Sequence, residues 1–286
     1  MKLLIVLITT AADKCLREPL RNLKALRRLD WYHRLVGMIE QKLGSVEVFK
    51  GPVGVAATLA LPLLVFWLLL SVIGGWHGIL LFLLTVAILF YCLGPDDLDD
   101  QVGALIAAIR ANNDDEANRL AQALGRSAQP VSTETRGHTV VESILTEFQE
   151  RVFGVLLWFL ILGPIGAVLF RFSAELRRYA MQASSGLRDW AGRVYNVLAW
   201  LPSRIVALGY ALSGNFSGAF ESWRVLDTLT LEQNETALRQ SGTGALQVGS
   251  DAGEVERITA AQRLVTRTLI VLLAILTVLY VIAWIT

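Results

Sequence analysis

Charge is scarce in this 286-residue chain: Asp, Glu, Lys and Arg together make up 18% of it, and the formal net charge is only +1. A nucleic-acid partner would demand a basic excess to neutralise phosphates, so none is expected. Cysteine is nearly absent. Cys15 and Cys92 sit in unrelated contexts with no CxxC spacing, which argues against a disulfide framework and against thiolate metal binding. His33, His77 and His138 lie far apart without HExxH spacing, and no metal site is expected. A GxxxxGKS/T loop and a GxGxxG unit are missing too. Gly242-Thr243-Gly244 has too few glycines at the wrong spacing and reads as a turn.

What the chain has instead is apolar surface. Residues of the AVILMFWYC set make up 54% of it, and the mean hydropathy is +0.50, both above the level of a soluble domain. The expected class is all-α: a polytopic integral membrane protein with broken or re-entrant helices and cytoplasmic helical elements.

Residues 1–50 are expected to form basic N-terminal membrane or interfacial helices. Met1–Ala12 is apolar but too short to cross a ~30 Å hydrocarbon core unless helix continues past it. Asp13–Lys50 holds nine Lys and Arg, which under the positive-inside tendency places it in the cytoplasm. Leu20, Leu23, Leu26, Leu29, Leu35 and Val36 fall at helical spacing, as in an element lying along the bilayer. Trp31-Tyr32-His33-Arg34 suits an interfacial belt, with Arg34 also a candidate ligand group. Residues 51–94 then form a transmembrane hairpin, Val53 to Ile73 and Ile79 to Leu93, around an uncharged turn and closed by Gly94-Pro95.

Residues 95–151 turn acidic and soluble in character. Leu98, Val102, Leu105 and Ile109 make one apolar stripe of a helix over Asp96–Arg110. Asn112-Asn113-Asp114 breaks it, and Asp114 or Asp115 caps a second helix over Glu116–Leu124 ended by Gly125. Gly125–Thr139 reads as a loop. Val141–Phe172 follows: a polar helix carrying Glu142, Glu147, Glu150 and Arg151 runs into an apolar stretch broken at Gly163-Pro164 and closed by Arg171. Residues 152–213 hold two such interrupted apolar stretches, the second with Pro202 and Arg204 in its middle. Interrupted membrane helices enclose polar pockets when protein surrounds them. Residues 214–267 are expected to be cytoplasmic helices, and 268–286 a clean C-terminal span.

Several of these residues carry a family resemblance, over roughly residues 110–250. Val141-Glu142-Ser143 followed by Val152 and Leu156 to Trp158, a Gly-Pro break, and Phe170-Arg171 resemble the CobD/CbiB family. Its synthetase members are cobinamide-forming amide synthetases of cobalamin synthesis. Leu198-Ala199-Trp200-Leu201-Pro202-Ser203-Arg204 is similar to that family's L-N-x-I/V-P-A-R-L stretch. Gly125-Arg126 and Gly244-Ala245-Leu246 match more weakly. The chain departs from the synthetases where they carry E-N-x-S-D-G: here stand Thr146-Glu147-Phe148-Gln149-Glu150-Arg151. This variant looks closer to AmpE, a branch implicated in modulating β-lactamase induction and associated with the AmpD muropeptide amidase. The resemblance implies a multi-pass inner-membrane protein of cell-wall-recycling signalling. Its partners would be the lipid bilayer and a small anionic ligand such as a muropeptide or nucleotide, with most polar segments cytoplasmic. The alternative is a membrane-embedded amide ligase or transferase that keeps CobD/CbiB-like chemistry on another substrate. ATP and Mg²⁺ would enter by resemblance alone.

An anionic ligand is gripped best by planar guanidinium groups, and amide chemistry needs a carboxylate to accept a proton. The candidate ligand-binding residues are therefore Arg34, Arg110, Asn113, Asp114, Glu142, Glu147, Arg151, Arg171 and Arg204. Glu142 and Glu147 are five apart on one helix and so point about 140° apart.

Overall fold

The computed structural model describes residues 5, 6, 9, 29–43, 51–74, 78–93, 98–125, 131–181, 185–224, 230–246, 248 and 252–285. Every regular element among them is helical. In chain order these are α1 (Asp30–Leu43), α2 (Pro52–Gly74), α3 (Gly78–Cys92), α4 (Leu98–Arg110), α5 (Asp114–Gly125) and α6 (Thr133–Phe148). A π-helical turn, Gln149–Phe153, leads to α7 (Gly154–Leu162) and α8 (Pro164–Ala180). Then come α9 (Ser185–Ser213), α10 (Phe216–Arg224), a 3₁₀ turn Leu231–Gln233, α11 (Asn234–Ala245) and α12 (Glu254–Ile285). The expectations for residues 10–28 lie outside the described residues.

These elements form two compact units, Met1–Pro95 with Glu150–Ala199, and Asp96–Gln149 with Trp200–Thr286. Two helical stretches are long and apolar enough to cross a membrane: Pro52–Val72 (21 residues) and Glu254–Leu279 (26 residues). Only 28% and 22% of their apolar windows are buried within the molecule, unlike the core helix of a soluble domain. The apolar α3 is shorter, at 15 residues.

In the first unit the decisive element is a helical hairpin. Gly163 adopts φ 73°, ψ −157°, a conformation that disfavours any side chain. Pro164 follows at the first position of α8, where its missing N–H costs nothing. The chain therefore folds back sharply. A Cβ on Gly166 would press into the Trp158 carbonyl, so α7 and the start of α8 meet at backbone distance. Trp158 in turn donates its indole N–H to the Leu198 carbonyl at 2.9 Å, pinning α7 to α9. Phe159, Ala167, Val168, Phe170 and Phe172 are fully buried around this turn.

The second unit is built on α6 and α12. Arg136 on α6 holds Glu254 through Nε–Oε1 at 2.7 Å and Nη2–Oε2 at 2.9 Å, while its Nη1 donates to Asp114 Oδ1 at 2.9 Å and Asn118 Oδ1 at 3.0 Å. One guanidinium thus joins the N-termini of α5 and α12 to α6, and its hydrogen bonds to Glu254 outweigh burial in raising its pKa. Gly137 gives Glu254 room, since a Cβ there would stand 3.0 Å from Glu254 Cγ.

Some expectations are corrected by these contacts. Residues 133–139, expected as loop, belong to α6: Ser132 caps it by accepting from Thr135 N, and Gly137 is retained for Glu254. Asn113 rather than Asp114 or Asp115 caps α5, accepting from Glu116 N at 3.2 Å, while Asn112 takes the left-handed break at φ 54°. Gly242-Thr243-Gly244 is helix, not turn. Gly244 would clash with the Gly218 carbonyl if it bore a Cβ, so it serves the close packing of α10 on α11, while Gly242 makes room for Leu145 of α6. The second interrupted stretch is one continuous helix, α9, which passes through Pro202.

Gly166→Val should lower thermal stability in detergent by about 1–3 kcal/mol, because a branched side chain cannot be placed between α7 and α8. Gly103→Ala, on an open exposed face of α4, should instead be neutral or stabilising by up to ~1 kcal/mol. Equal melting of Gly166→Val and wild type would contradict the hairpin contact.

Candidate functional site

The hairpin decides which charges meet in the first unit. Glu150 lies 13 residues before Gly163 and Arg177 14 after it, so folding at Gly163 sets them side by side. Arg177 Nη2 donates to Glu150 Oε2 at 3.0 Å, and Arg178 Nη2 is hydrogen-bonded to Glu150 Oε1. Tyr195 of α9 adds its hydroxyl to Oε2 at 3.0 Å, beneath an Arg177 guanidinium stacked 4.0 Å from the ring centroid. Arg178 Nη1 also reaches Glu175 Oε1 at 2.6 Å, and Arg171 Nη2 meets the same oxygen at 2.9 Å. His33 Nε2 of α1 stands 3.3 Å from Glu175 Oε2.

This network joins two buried carboxylates to one buried and two partly exposed guanidinium groups, with Glu150 5%, Glu175 6% and Arg171 4% exposed. Charge removed from water is tolerated only when paired in this way. The balance stays positive, and Arg151 is near enough to act on Arg171. Arg171 is held at Nη2 alone: its Nε and Nη1 are buried with no hydrogen-bond partner. Buried donors left without acceptors cost about 1–3 kcal/mol each, and they mark a place where a ligand or water would be welcomed. Tyr32 of α1 is fully buried, its ring centroid 4.6 Å from that of Phe172. The π-turn, Gln149–Phe153, overlaps the last three residues of Thr146–Arg151, the stretch where the resemblance to the synthetases breaks down. An extra residue per turn of this kind re-aims side chains and recurs at functional sites.

The sequence-derived candidates divide between the two units. In the first, Arg171 and Arg151 are buried at the network, whereas Arg34 is exposed on α1. In the second, Arg110 is exposed in the last turn of α4, where a cation suits the helix dipole. Asn113 and Asp114 are both exposed, Asn113 as the α5 cap and Asp114 on Arg136. Glu142 is half-buried, 3.5 Å from Arg239 Nη1 and 3.8 Å from His138 Nδ1. Glu147 is buried. Arg204 is buried too, donating to Asn234 Oδ1 at 2.8 Å and to the Thr230 carbonyl at 3.1 Å over the ring of Trp200. Sequence reasoning missed Glu175, Arg177, Arg178 and Tyr195. The i,i+4 and i,i+3 spacing of Arg171, Glu175 and Arg178 was readable. Their meeting with Glu150 was not.

The first unit's network has a pH signature. Burial pushes the Glu175 carboxyl up, but His33, Arg171 and Arg178 outweigh it and hold the pKa down to about 2. Glu175 lies past the apolar part of α8. Its folded value is below the unfolded one of ~4.3, so the ionised form's contribution is complete above that and is lost as pH falls from about 4 to about 2. Glu175→Gln should cost about 3–5 kcal/mol at pH 7, because Arg171 and Arg178 lose a buried partner. Melting curves of wild type and variant should converge on acidification through this window. Parallel curves from pH 7 to pH 3 would contradict the assignment.

Comparison with known proteins agrees with the motifs. Residues 6–249 match the model of the CobD/Cbib protein family. The chain is 31% identical over 202 residues to the cobalamin biosynthesis protein CobD of Stutzerimonas stutzeri, covering 67% of this chain and 63% of that protein. It is 28% identical over 261 residues to the protein of the same name from Chromobacterium violaceum, covering 86% and 80% of the two chains. The aligned region thus spans less than two thirds of the Stutzerimonas protein's length. No solved structure matches. With the match running through the polar helix, the Gly163 hairpin and the Trp200–Arg204 stretch alike, the chain belongs to the CobD/Cbib family.

Proposed function

We propose that this chain is a membrane-embedded amide ligase or transferase of the CobD/CbiB type, which holds a phosphorylated or carboxylated small molecule against Arg171. The observation that carries this reading is the Arg171 guanidinium, buried in a network of excess positive charge with two donors unsatisfied. A guanidinium in that state suits an oxyanion, which would accept from Nε and Nη1 without displacing Glu175. Family membership and the names of the two relatives, both cobalamin biosynthesis proteins, support a biosynthetic role; amide formation as the reaction class rests on the resemblance of the motifs to the family's synthetases.

A second reading is the AmpE-type regulatory role, a sensor of an anionic cell-wall fragment or nucleotide that influences β-lactamase induction. One observation favours it. Where synthetases carry Asp-Gly, this chain has Glu150-Arg151, and both oxygens of Glu150 are engaged by Arg177, Arg178 and Tyr195. A carboxylate so held is a poor proton acceptor or metal ligand.

In either role the chain sits in the inner membrane with α2 and α3 as a hairpin of spans and α12 as a third, which makes it multi-pass. At ~1.5 Å per residue α7 is about 14 Å long, half of a ~30 Å hydrocarbon core. The α7–α8 hairpin thus suits a re-entrant element that brings Glu150 and Arg177 back to the cytoplasmic side.

Thermal stability in detergent should be followed with ATP and Mg²⁺, a corrinoid acid and muropeptides, with mass spectrometry of the mixture. A ligand at a hundred times its Kd should add about 2.7 kcal/mol, and Arg171→Lys should abolish most of that gain while remaining folded. An amide product identifies the enzyme, and stabilisation without product identifies the sensor. No stabilisation by any of them would remove the anion site.

A further inference from the structure

In the second unit, α9 and α10 meet in an elbow whose outer face is apolar and uncovered. Leu208 (44% exposed), Leu212 (58%), Phe216 (54%) and Phe220 (49%) follow one another at i,i+4 spacing across it. The rings of Phe216 and Phe220 stack with centroids 5.9 Å apart and planes within 7°. The opposite faces are fully engaged. Val206, Ala207 and Tyr210 are buried, Ser241 donates to the Ala207 carbonyl at 2.8 Å, and Gly218 packs on Gly244. The exposed face is therefore what remains after the core is complete.

The level of this face follows from α12. Arg263 and Arg267 are exposed, and from Thr268 onward the helix carries no charge. Gly209 lies against the beginning of that stretch: a Cβ on it would stand 2.7 Å from Thr268 Cγ2 and 3.1 Å from Leu272 Cδ1. Helices approach this closely only where a glycine removes the side chain. Thr268 and Leu272 are buried towards α9, while Ile270 and Ile275 face outward. If the bilayer begins where the charges on α12 end, Leu208 and its neighbours stand at its boundary, beside two arginines suited to anionic headgroups.

The elbow itself is built for that place. Gly214 N donates to the Tyr210 carbonyl at 2.9 Å, Asn215 N to the Ala245 carbonyl at 2.9 Å, and Gly218 N to Asn215 Oδ1 at 3.2 Å. Chain reversal near hydrocarbon needs such internal satisfaction of the backbone, since lipid offers no acceptors.

We infer that the α9–α10 elbow is a lipid-binding surface, with Leu208, Leu212, Phe216 and Phe220 seated in the acyl boundary of an anionic bilayer next to α12. This is a monotopic contact added to the spans. It rests on α12 crossing the membrane but is independent of any ligand at Arg171.

The test uses the full chain with Cys15→Ser and Cys92→Ala, reconstituted in phosphatidylethanolamine–phosphatidylglycerol vesicles. Nitroxides are placed singly at Leu212→Cys and Phe220→Cys, with Ile275→Cys on α12 and Gly103→Cys on α4 as references. The ratio of collisions with oxygen to collisions with a water-soluble nickel chelate should be several-fold higher at 212, 220 and 275 than at 103. Both test positions are exposed, so folding is checked by monodisperse elution, and Leu208→Cys replaces any variant that fails. A water-like ratio at 212 and 220 with a lipid-like one at 275 overturns the elbow alone. Inaccessibility to both reagents at 212 and 220 reports a protein on this face and overturns it equally. A water-like ratio at 275 overturns the membrane reading of α12 and the elbow with it.

Discussion

A carboxylate taken out of water costs several kcal/mol unless cations and hydrogen-bond donors meet it, and the first unit depends on how Glu150 is met. Arg177 and Arg178 reach it from α8, and Tyr195 reaches it from α9. Removing the carboxylate would leave two partly buried guanidinium groups without the anion they share. Glu175 extends the same network to Arg171 and towards His33. Three helices and a π-turn are thus tied through two carboxylates, and the surplus charge is left on Arg171.

That network exists because the backbone folds back at Gly163, where a left-handed conformation and the following proline leave no alternative to a turn. The apolar half of the hairpin buries Phe159, Phe170 and Phe172, and the charged half collects at its open end. The same division of labour recurs in the second unit. There Arg136 fixes the polar ends of α5, α6 and α12, while Gly209 and Gly242 permit close apolar packing further along. Polar staples set which helix ends meet, and glycines set how near the helices run.

For function, the distribution of charge matters more than its amount. Acids and bases in the chain are nearly equal in number, yet the buried network is richer in guanidinium than in carboxylate. An anion is the ligand we propose for such a place. The π-turn lies where the chain leaves the synthetase pattern, and its Glu150 is committed to structure. Amide chemistry on this chain would need a base other than Glu150. A sensor would need none.

The sequence by itself determined the helical class, both helices of the 51–94 hairpin and the break at Gly163. Apolar run length, glycine and proline act locally and can be read without a partner. It also carried the CobD/CbiB family, to which the chain belongs by its match over residues 6–249. It misplaced the start of α6 and misread Gly242-Thr243-Gly244 as a turn. The reasons for those glycines, Glu254 against Gly137 and Gly218 against Gly244, lie over a hundred and over twenty residues away. Pro202 was read as a break, yet α9 runs through it. Burial was the largest blind spot: Arg34 and Arg171 look alike in sequence, but one is exposed and the other lies inside the network. Only tertiary structure decides that, because the free energy of a charge is set by the groups folding brings around it.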